Sequence, residues 1–449
     1  MGDSMDMSSG PLLGKMIVYA VPIALSGQLQ LLFNAADLVV VGRYSGALSV
    51  AAIGSTNVMI NLIVNFFIGF SVGAGIAAAQ AIGAGDRERT AKIVHTAVPA
   101  ALFFGLLLTG IGLLGNRWFL RLLGTPSDVV ALAAVYMRLY FLGTAGTLLY
   151  NFGAAILRAA GDTLRPLVYL TIAGVLNLLL NLLFVLVFQM DVSGVALATA
   201  ISQWLSAVLV LRALRRRQDA CRLEPEKLSV DLRILRQILR VGMPAGIQSA
   251  MFSISNVIIQ ASVNSFGSLV TSGAAAAGSL EGFAWLPMNA IYQASMYFTG
   301  QNYGAGQYDR IKRICRTALA AVAVTGLCLG AGMYLLGPKL LSLYLPDSPE
   351  AIAYGMMRLR FVCLPYMLAG IQDVMTGVIR GMGHSLEPML ISVFGICGIR
   401  MLWVATAFQL PRFHNVGALY FSYPLSWAIT FVLQSICFAL LFRRYRGRG

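Results

Sequence analysis

Three acidic residues interrupt apolar stretches of this 449-residue sequence: Asp37, Glu281 and Asp373. Ionisable side chains in such stretches are rare, and they usually face a cavity or a partner, so each is a candidate for proton exchange or cation binding. Asp37 lies in the segment LLFNAADLVVVGRYSG, where apolar residues continue beyond it from Leu38 to Val41.

Polar residues that could surround Asp37 occur at helical spacing. Asn34 lies one turn before Asp37, Asn177 and Asn181 share a helix face four residues apart, and Thr199 lies in the next apolar stretch. Such a cluster could take up and release a proton, or it could hold Na⁺ with its oxygens. Two simpler interpretations stay open: Asp37 reaches water at the outer interface, and the asparagines only bond helix to helix.

The second half of the chain carries its own buried charges. We expect Asp373 to form an ion pair with Arg400, which follows it across a short turn. Such a pair can be purely structural. Glu281 either faces a cavity or pairs with Arg358 or Arg360, and the sequence leaves both possibilities open.

Aromatic and sulfur-containing side chains could line a pocket for flat apolar cations through stacking and cation–π contacts. Individually, such side chains more often pack or face lipid. Together with Glu281, the candidates that we assign to this cavity are Phe33, Tyr150, Trp285, Met288 and Tyr292.

Composition places these residues in a membrane protein. The chain is 58% hydrophobic and 11% charged, whereas soluble domains carry about 25% charged residues. Several apolar stretches exceed the ~20 residues that cross a bilayer as a helix. We therefore predict an all-α polytopic protein with twelve transmembrane helices at 15–41, 49–81, 92–115, 128–159, 166–189, 193–215, 235–264, 270–302, 311–336, 350–381, 386–409 and 416–442.

The net charge of +15 reports orientation rather than nucleic-acid binding. Nine Lys and Arg residues lie between Arg212 and Arg240, and most others lie in connections on that same predicted side. By the positive-inside rule, both termini are cytoplasmic. The expected partners are membrane lipids, with no nucleic acid.

The chain repeats itself. AQAIGAGDRERTAKI recurs as GQNYGAGQYDRIKRI, and ILRAAGDTLRP at 156–166 recurs as VIRGMGHSLEP at 378–388. We predict two six-helix lobes, 1–215 and 235–449, joined by a cytoplasmic linker at 216–234. Since six is even, both lobes enter the membrane in the same sense, which predicts a pseudo-two-fold axis along the membrane normal.

Sequence motifs for other functions are missing. The chain has no GxxxxGK[ST] phosphate loop and no Gly-x-Ser-x-Gly elbow. Its three histidines, His95, His384 and His414, are scattered. We predict neither an enzyme nor a bound metal or other cofactor.

These motifs make the whole chain similar to a bacterial multidrug and toxin extrusion (MATE) transporter. The resemblance rests on FNAADLVVVGRYSG, GQNYGAG, LRAAGDTLRP, IRGMGHSLEP and GVALAT. It implies two lobes around a central cleft in the bacterial cytoplasmic membrane, and export of small organic cations in exchange for inward H⁺ or Na⁺. Asp37, Asn177 and Thr199 match residues of the family's first-lobe site, and Asn181 stands where relatives often have Asp.

One branch of the family places a Glu in span seven as part of a second-lobe cation site. That span here, PAGIQSAMFSISNVIIQ, has no acid. We therefore expect cation coupling through the first lobe. We also expect the protein to be a monomer.

The alternative function is that of a lipid-linked precursor flippase of the same superfamily. It would need several cations for pyrophosphate, and the intramembrane candidates are Arg138, Arg358, Arg360 and Arg400.

Overall fold

A computed structural model describes residues 5–122 and 124–446, and regular structure in those ranges is helical. The α-helices are α1 Leu12–Tyr44, α2 Ala47–Gly83, α3 Arg87–Leu122, α4 Val130–Ala159, α5 Leu164–Leu182, α6 Asp191–Arg215, α7 Leu232–Asn264, α8 Ser268–Gly304, α9 Tyr308–Tyr344, α10 Pro349–Arg358, α11 Tyr366–Gly381, α12 Leu386–Ser392, α13 Ile399–Ala405 and α14 Val416–Arg446.

The helices account for the twelve predicted spans. Within the described ranges, nine helical segments are long and apolar enough to cross a membrane, and α10 with α11, bent by 41°, makes a tenth. The remaining two, α7 and α8, have 33 and 37 residues. At about 1.5 Å per residue they are also long enough to span a bilayer. They fall short in hydropathy because they carry many Ser, Asn, Gln and Gly residues.

Three spans contain a turn of π-helix. It follows α5 at Leu183–Val187, follows α10 at Leu359–Cys363, and joins α12 to α13 at Val393–Gly398. Turns of this kind are rare and frequently lie at functional sites. Each one here adjoins a helix that carries a polar candidate residue: Asn177 and Asn181 on α5, Arg358 on α10 and Arg400 on α13.

The sequence repeat is also a repeat of backbone geometry. At the end of α2, Asp86 N donates to Ala81 O (3.1 Å), and at the end of α8, Gln307 N donates to Asn302 O (2.8 Å). The residue before Asp86 is Gly85, with φ +69°, and the residue before Gln307 is Gly306, with φ +68°. Only glycine adopts this left-handed conformation at little cost, so the Gly-Ala-Gly motif is explained by helix termination.

The described chain forms two compact units. Unit 1 contains Leu25–Ala250 together with Met5 and Asp6, and unit 2 contains Met7–Ala24 and the described residues from Met251 onward. Both α1 and α7 therefore contribute a half to each unit. The lobe bounds predicted from the sequence, 1–215 and 235–449, stay a prediction about chain order.

The predicted linker at 216–234 is packed onto unit 1. Arg217 binds Asp219 through both oxygens of the carboxylate and lies 3.8 Å from Asp162, which follows α4. Farther along, the backbone N–H of Glu224 donates to Nε2 of His95 on α3 (3.1 Å). These contacts hold the linker against the helix ends.

We expect Arg217→Gln to destabilise unit 1 by about 1.5–3 kcal/mol, because hydrogen bonds to a charged group are lost and the nearby Asp162 carboxylate stays buried. Thermal unfolding of the purified protein in detergent measures the change. Arg216→Gln is the matched control, since Arg216 is exposed. Equal melting temperatures for the two variants would contradict this role.

The effect should depend on pH. Burial disfavours the charged form of Asp219, but the hydrogen bonds and positive charge of Arg217 outweigh it and hold the pKa of Asp219 below its ordinary value. The stabilisation is therefore complete above a pH of about 4 and is lost as the pH falls through the lowered pKa. The difference between wild type and Arg217→Gln should narrow below a pH of about 4.

Candidate functional site

Unit 1 encloses a polar cavity of about 290 Å³ between α1, α2, α4, α5 and α6. The helices cross an apolar environment, yet their inward faces carry amides, hydroxyls and one carboxylate. The polar residues that line it are Gln30, Asn34, Asp37, Asn57, Asn61, Tyr136, Tyr140, Asn177, Thr199, Ser202, Gln203 and Ser206.

The Asp37 carboxylate lies at the side of this cavity against α5. Nδ2 of the fully buried Asn181 donates to Oδ1 of Asp37. We orient the Asn177 amide so that its Nδ2 also donates to Oδ1 of Asp37 (2.9 Å). Asn177 Oδ1 then accepts from the backbone N–H of Thr199 (3.2 Å). Two amides one turn apart thus bond one carboxylate and join α1, α5 and α6.

The structure brings the predicted polar cluster together. Asn34 lines the same cavity as Asp37, one turn away on α1. The Asp37 carboxylate is hydrogen-bonded to α5 inside unit 1, and its depth in the membrane stays a prediction. A half-buried carboxylate with two N–H donors can exchange a proton with the cavity.

Phe33 lies next to this cluster and lines the cavity. Its ring packs so closely on α5 that a Cβ at Gly174 would lie 1.9 Å from ring carbon Cε2. Glycine at this position lets α1 approach α5 one turn before Asn177. The contact therefore helps to set the distance between Asp37 and its amide partners.

Several lining residues were not predicted from the sequence. Asn57 and Asn61 on α2 are four residues apart, the same spacing that identified Asn177 and Asn181, so the signal was available. Tyr136 and Gln203 carry no such signal, because a lone Tyr or Gln in an apolar helix is compatible with many environments.

Unit 2 encloses a second cavity of about 450 Å³, lined by residues of α7, α8, α10, α11, α13 and α14 and of the π-helical turns Leu359–Cys363 and Val393–Gly398. Glu281 pairs here with Arg358 in a two-pronged ion pair, with Nε–Oε1 2.6 Å and Nη2–Oε2 2.8 Å. The sequence left open whether Glu281 faces a cavity or pairs with an arginine. In the structure it does both.

The predicted ion pair between Asp373 and Arg400 is wrong. Both residues line the cavity of unit 2, but Asp373 accepts a hydrogen bond from the neighbouring Gln372. The guanidinium of Arg400 lies over the ring of Tyr423 at 3.9 Å, and its Nε donates to Ser426 (3.1 Å). The rotation of α13 turns Arg400 towards α14, and residue spacing does not determine that rotation.

The other cavity candidates divide into two groups. Trp285 lines the cavity of unit 2, whereas Tyr150, Met288 and Tyr292 line neither of the two cavities. Tyr150 donates to Pro166 O (3.0 Å), and the hydroxyl of Tyr292 accepts from Arg380 Nη1 (2.7 Å). Met288 is 1% exposed. These two hydrogen bonds and the burial of Met288 are typical of helix packing, and a substrate role for the three residues stays a prediction.

The cavities offer little for a metal ion of the kind that His and Cys bind. Within the described ranges, no three His, Cys, Asp or Glu side chains gather into a possible metal site. The chemistry available is proton exchange, hydrogen bonding, and electrostatic or stacking contacts with small molecules.

Comparison with known proteins gives a consistent result. The MatE family profile matches residues 22–183 and, a second time, 244–405. The chain is 29% identical over 427 residues to the probable multidrug resistance protein YoeA of Bacillus subtilis, covering 93% of this chain and 91% of the relative. It is 25% identical over 420 residues to the probable multidrug resistance protein NorM of Thermotoga maritima, covering 90% and 87%.

Solved structures share the fold. A crystal structure of MATE in complex with MaL6 has a TM-score of 0.91 at 20% identity and covers 100% of both chains. A transporter of the MOP superfamily from Pyrococcus furiosus has a TM-score of 0.86 at 21% identity and covers 100% of this chain and 98% of its own.

We expect Gly174→Ala to cost about 1–3 kcal/mol of stability, because the added methyl overlaps the Phe33 ring and must displace it. Gly110→Ala on α3 is the matched control, since a Cβ there has open space and alanine favours a helix by about 0.5–1 kcal/mol. Melting temperatures in detergent test the prediction. A Gly174→Ala protein as stable as the control would show that the contact does not constrain α1 and α5.

Proposed function

Since the chain belongs to the MatE family of multidrug efflux transporters, we propose that it is a secondary antiporter coupled through Asp37 in unit 1. It exports small organic cations in exchange for an inward cation. The observation that carries the proposal is the pair of amide donors, Asn177 and Asn181, on one half-buried carboxylate beside a polar cavity.

The proposed coupling ion is H⁺. The groups bonded to Oδ1 of Asp37 are N–H donors, and Na⁺ would have to displace them to be held by both carboxylate oxygens. Proton uptake needs no such displacement. Oδ1 of Asn181 is buried and accepts no hydrogen bond within the described residues, so a half-turn of this amide presents an acceptor to the O–H of protonated Asp37.

Protonation of Asp37 would change how α1 packs on α5. Hydrogen bonds to a charged carboxylate are roughly twice as strong as those to a neutral group. Proton uptake therefore weakens the bonds to Asn177 and Asn181 and favours a different packing of the two helices. A proton and a substrate then drive transport only through their differential affinity for the two packings.

The proposed setting is the cytoplasmic membrane, with both termini on the cytoplasmic side. This orientation follows from the cationic residues between Arg212 and Arg240, which all lie on one predicted side. The inward proton gradient then supplies the free energy for export.

The flippase alternative has less support. Of its four arginines, Arg358 and Arg400 line the cavity of unit 2, and the charge of Arg358 is neutralised by Glu281. Arg138 and Arg360 are exposed. These side chains do not supply the cluster of free cations that a pyrophosphate would need.

We expect Asp37→Asn to abolish gradient-driven export of ethidium while the protein still folds and inserts, since Asn is isosteric but cannot exchange a proton. Ethidium fluorescence in proteoliposomes with an imposed pH gradient measures export, and melting temperature measures folding. Asp128→Asn is the matched control, because Asp128 is an exposed loop carboxylate. Export by Asp37→Asn at the wild-type rate would refute the role of Asp37.

The same proteoliposomes show whether the coupling ion is H⁺ or Na⁺. With H⁺ as the coupling ion, a pH gradient drives export in sodium-free buffer and a Na⁺ gradient alone does not. Export that requires Na⁺ would overturn the assignment of H⁺ and leave Asp37 as a sodium ligand.

A further inference from the structure

The cavity of unit 2 contains two opposite charges that do not neutralise each other. Glu281 and Arg358 form a closed ion pair, which leaves the carboxylate of Asp373 and the guanidinium of Arg400 on the cavity wall. Within the described residues, neither forms a salt bridge. A cavity of this kind is neutral overall but strongly polarised.

The N–H groups on Nη1 and Nη2 of Arg400 are available to a ligand in the cavity. The residue is 5% exposed and lines the cavity. Of its five N–H donors, the one on Nε is donated to Ser426, and no hydrogen bond from Nη1 or Nη2 is formed with the described residues. The rings of Tyr423 and Trp427, 3.9 and 5.6 Å from the guanidinium carbon, cover its face and fix its plane. A planar fork held in this way matches a carboxylate.

An unpaired acceptor lies beside the opposite charge, Asp373. Gln372 is 2% exposed; its amide nitrogen donates to Asp373, while its Oε1 is buried and accepts nothing among the described residues. Both residues line the cavity. A buried acceptor without a partner is costly, so this atom favours a ligand that brings an N–H donor.

The cavity has aromatic walls between these poles. Trp285, Tyr366 and Trp427 line it, and the rings of Tyr366 and Trp427 lie 5.8 Å apart. At about 450 Å³, it falls within the range of small-molecule sites of roughly 300–1,000 Å³.

We propose that the cavity of unit 2 is a binding site for aromatic zwitterions. Arg400 binds the ligand's carboxylate through Nη1 and Nη2, and Asp373 with Gln372 Oε1 binds its protonated amine. The aromatic walls stack on the ring system between them. The Glu281–Arg358 pair closes one side of the site without adding net charge.

This inference adds a ligand site with a preference for carboxylates to the proposed function, and it does not depend on the coupling role of Asp37. A simple cation would leave the edge of Arg400 unpaired and would meet its positive charge. A zwitterion pairs with both poles, so the site discriminates in favour of ligands that carry a carboxylate.

The test compares a zwitterion with the same molecule lacking its negative charge. Norfloxacin, which has an aryl carboxylate and a protonated piperazine ring, is compared with its ethyl ester, a monocation. Fluorescence anisotropy measures the Kd of each for the purified full chain in detergent at pH 7, with no ion gradient. We expect the wild type to bind the acid about tenfold to hundredfold more tightly than the ester.

Two variants of Arg400 and a control variant test whether this residue causes the tighter binding of the acid. Arg400→Gln should weaken binding of the acid to the level of the ester and leave the ester unchanged. Arg400→Lys, which keeps the charge but not the fork, should retain part of the preference. Arg360→Gln removes an exposed arginine outside the cavity and should keep all of it.

Equal affinities for acid and ester in the wild type overturn the proposal, as does a loss in Arg400→Gln that is the same for both ligands. If Arg400→Gln does not fold, the proposal is tested by the ratio of the two Kd values, acid to ester, in the wild type and in Arg400→Lys. An unchanged acid preference in Asp37→Asn separates this site from the coupling site, so failure of one proposal is distinguishable from failure of the other.

Discussion

The hydrogen bonds from Asn177 and Asn181 to the Asp37 carboxylate are the contact on which the organisation of unit 1 depends. A carboxylate away from water is costly unless donors replace its hydration. Here the donors come from a different helix, so α1 and α5 are joined by the same bonds that stabilise the charge. One side chain therefore carries the charge and also joins the two helices.

The two repeats share a backbone plan but differ in chemistry at corresponding positions. The family profile matches segments that begin and end 222 residues apart, at 22–183 and 244–405. On this register Asp37 corresponds to Ile259, which lines the cavity of unit 2. Asn177 corresponds to Ile399. The carboxylate and its amide partner are thus absent from the second repeat, although the cavity that they would face is kept.

The reverse also holds. Arg400 in the cavity of unit 2 corresponds to Leu178, whereas Arg358 has a counterpart in Arg138, in the matching segments MRLRF and MRLYF. Unit 1 therefore concentrates neutral donors around one acid, and unit 2 holds a closed ion pair with two further charges of opposite sign. The two repeats thus enclose cavities of different charge pattern on a similar backbone.

The sequence by itself determined the membrane class, the twelve spans and the repeat with its glycine-terminated helices. These follow from hydropathy, glycine conformation and residue spacing, which act locally along the chain. It suggested one cluster of Asp37, Asn177, Asn181 and Thr199 through polar spacing and the family resemblance, and the packing of α1, α5 and α6 decided it. Only the tertiary structure decided that Glu281 pairs with Arg358 and that Arg400 turns away from Asp373. Those contacts depend on the rotation of each helix about its axis and on π-helical turns. Packing between distant segments sets both, and local spacing carries no information about them.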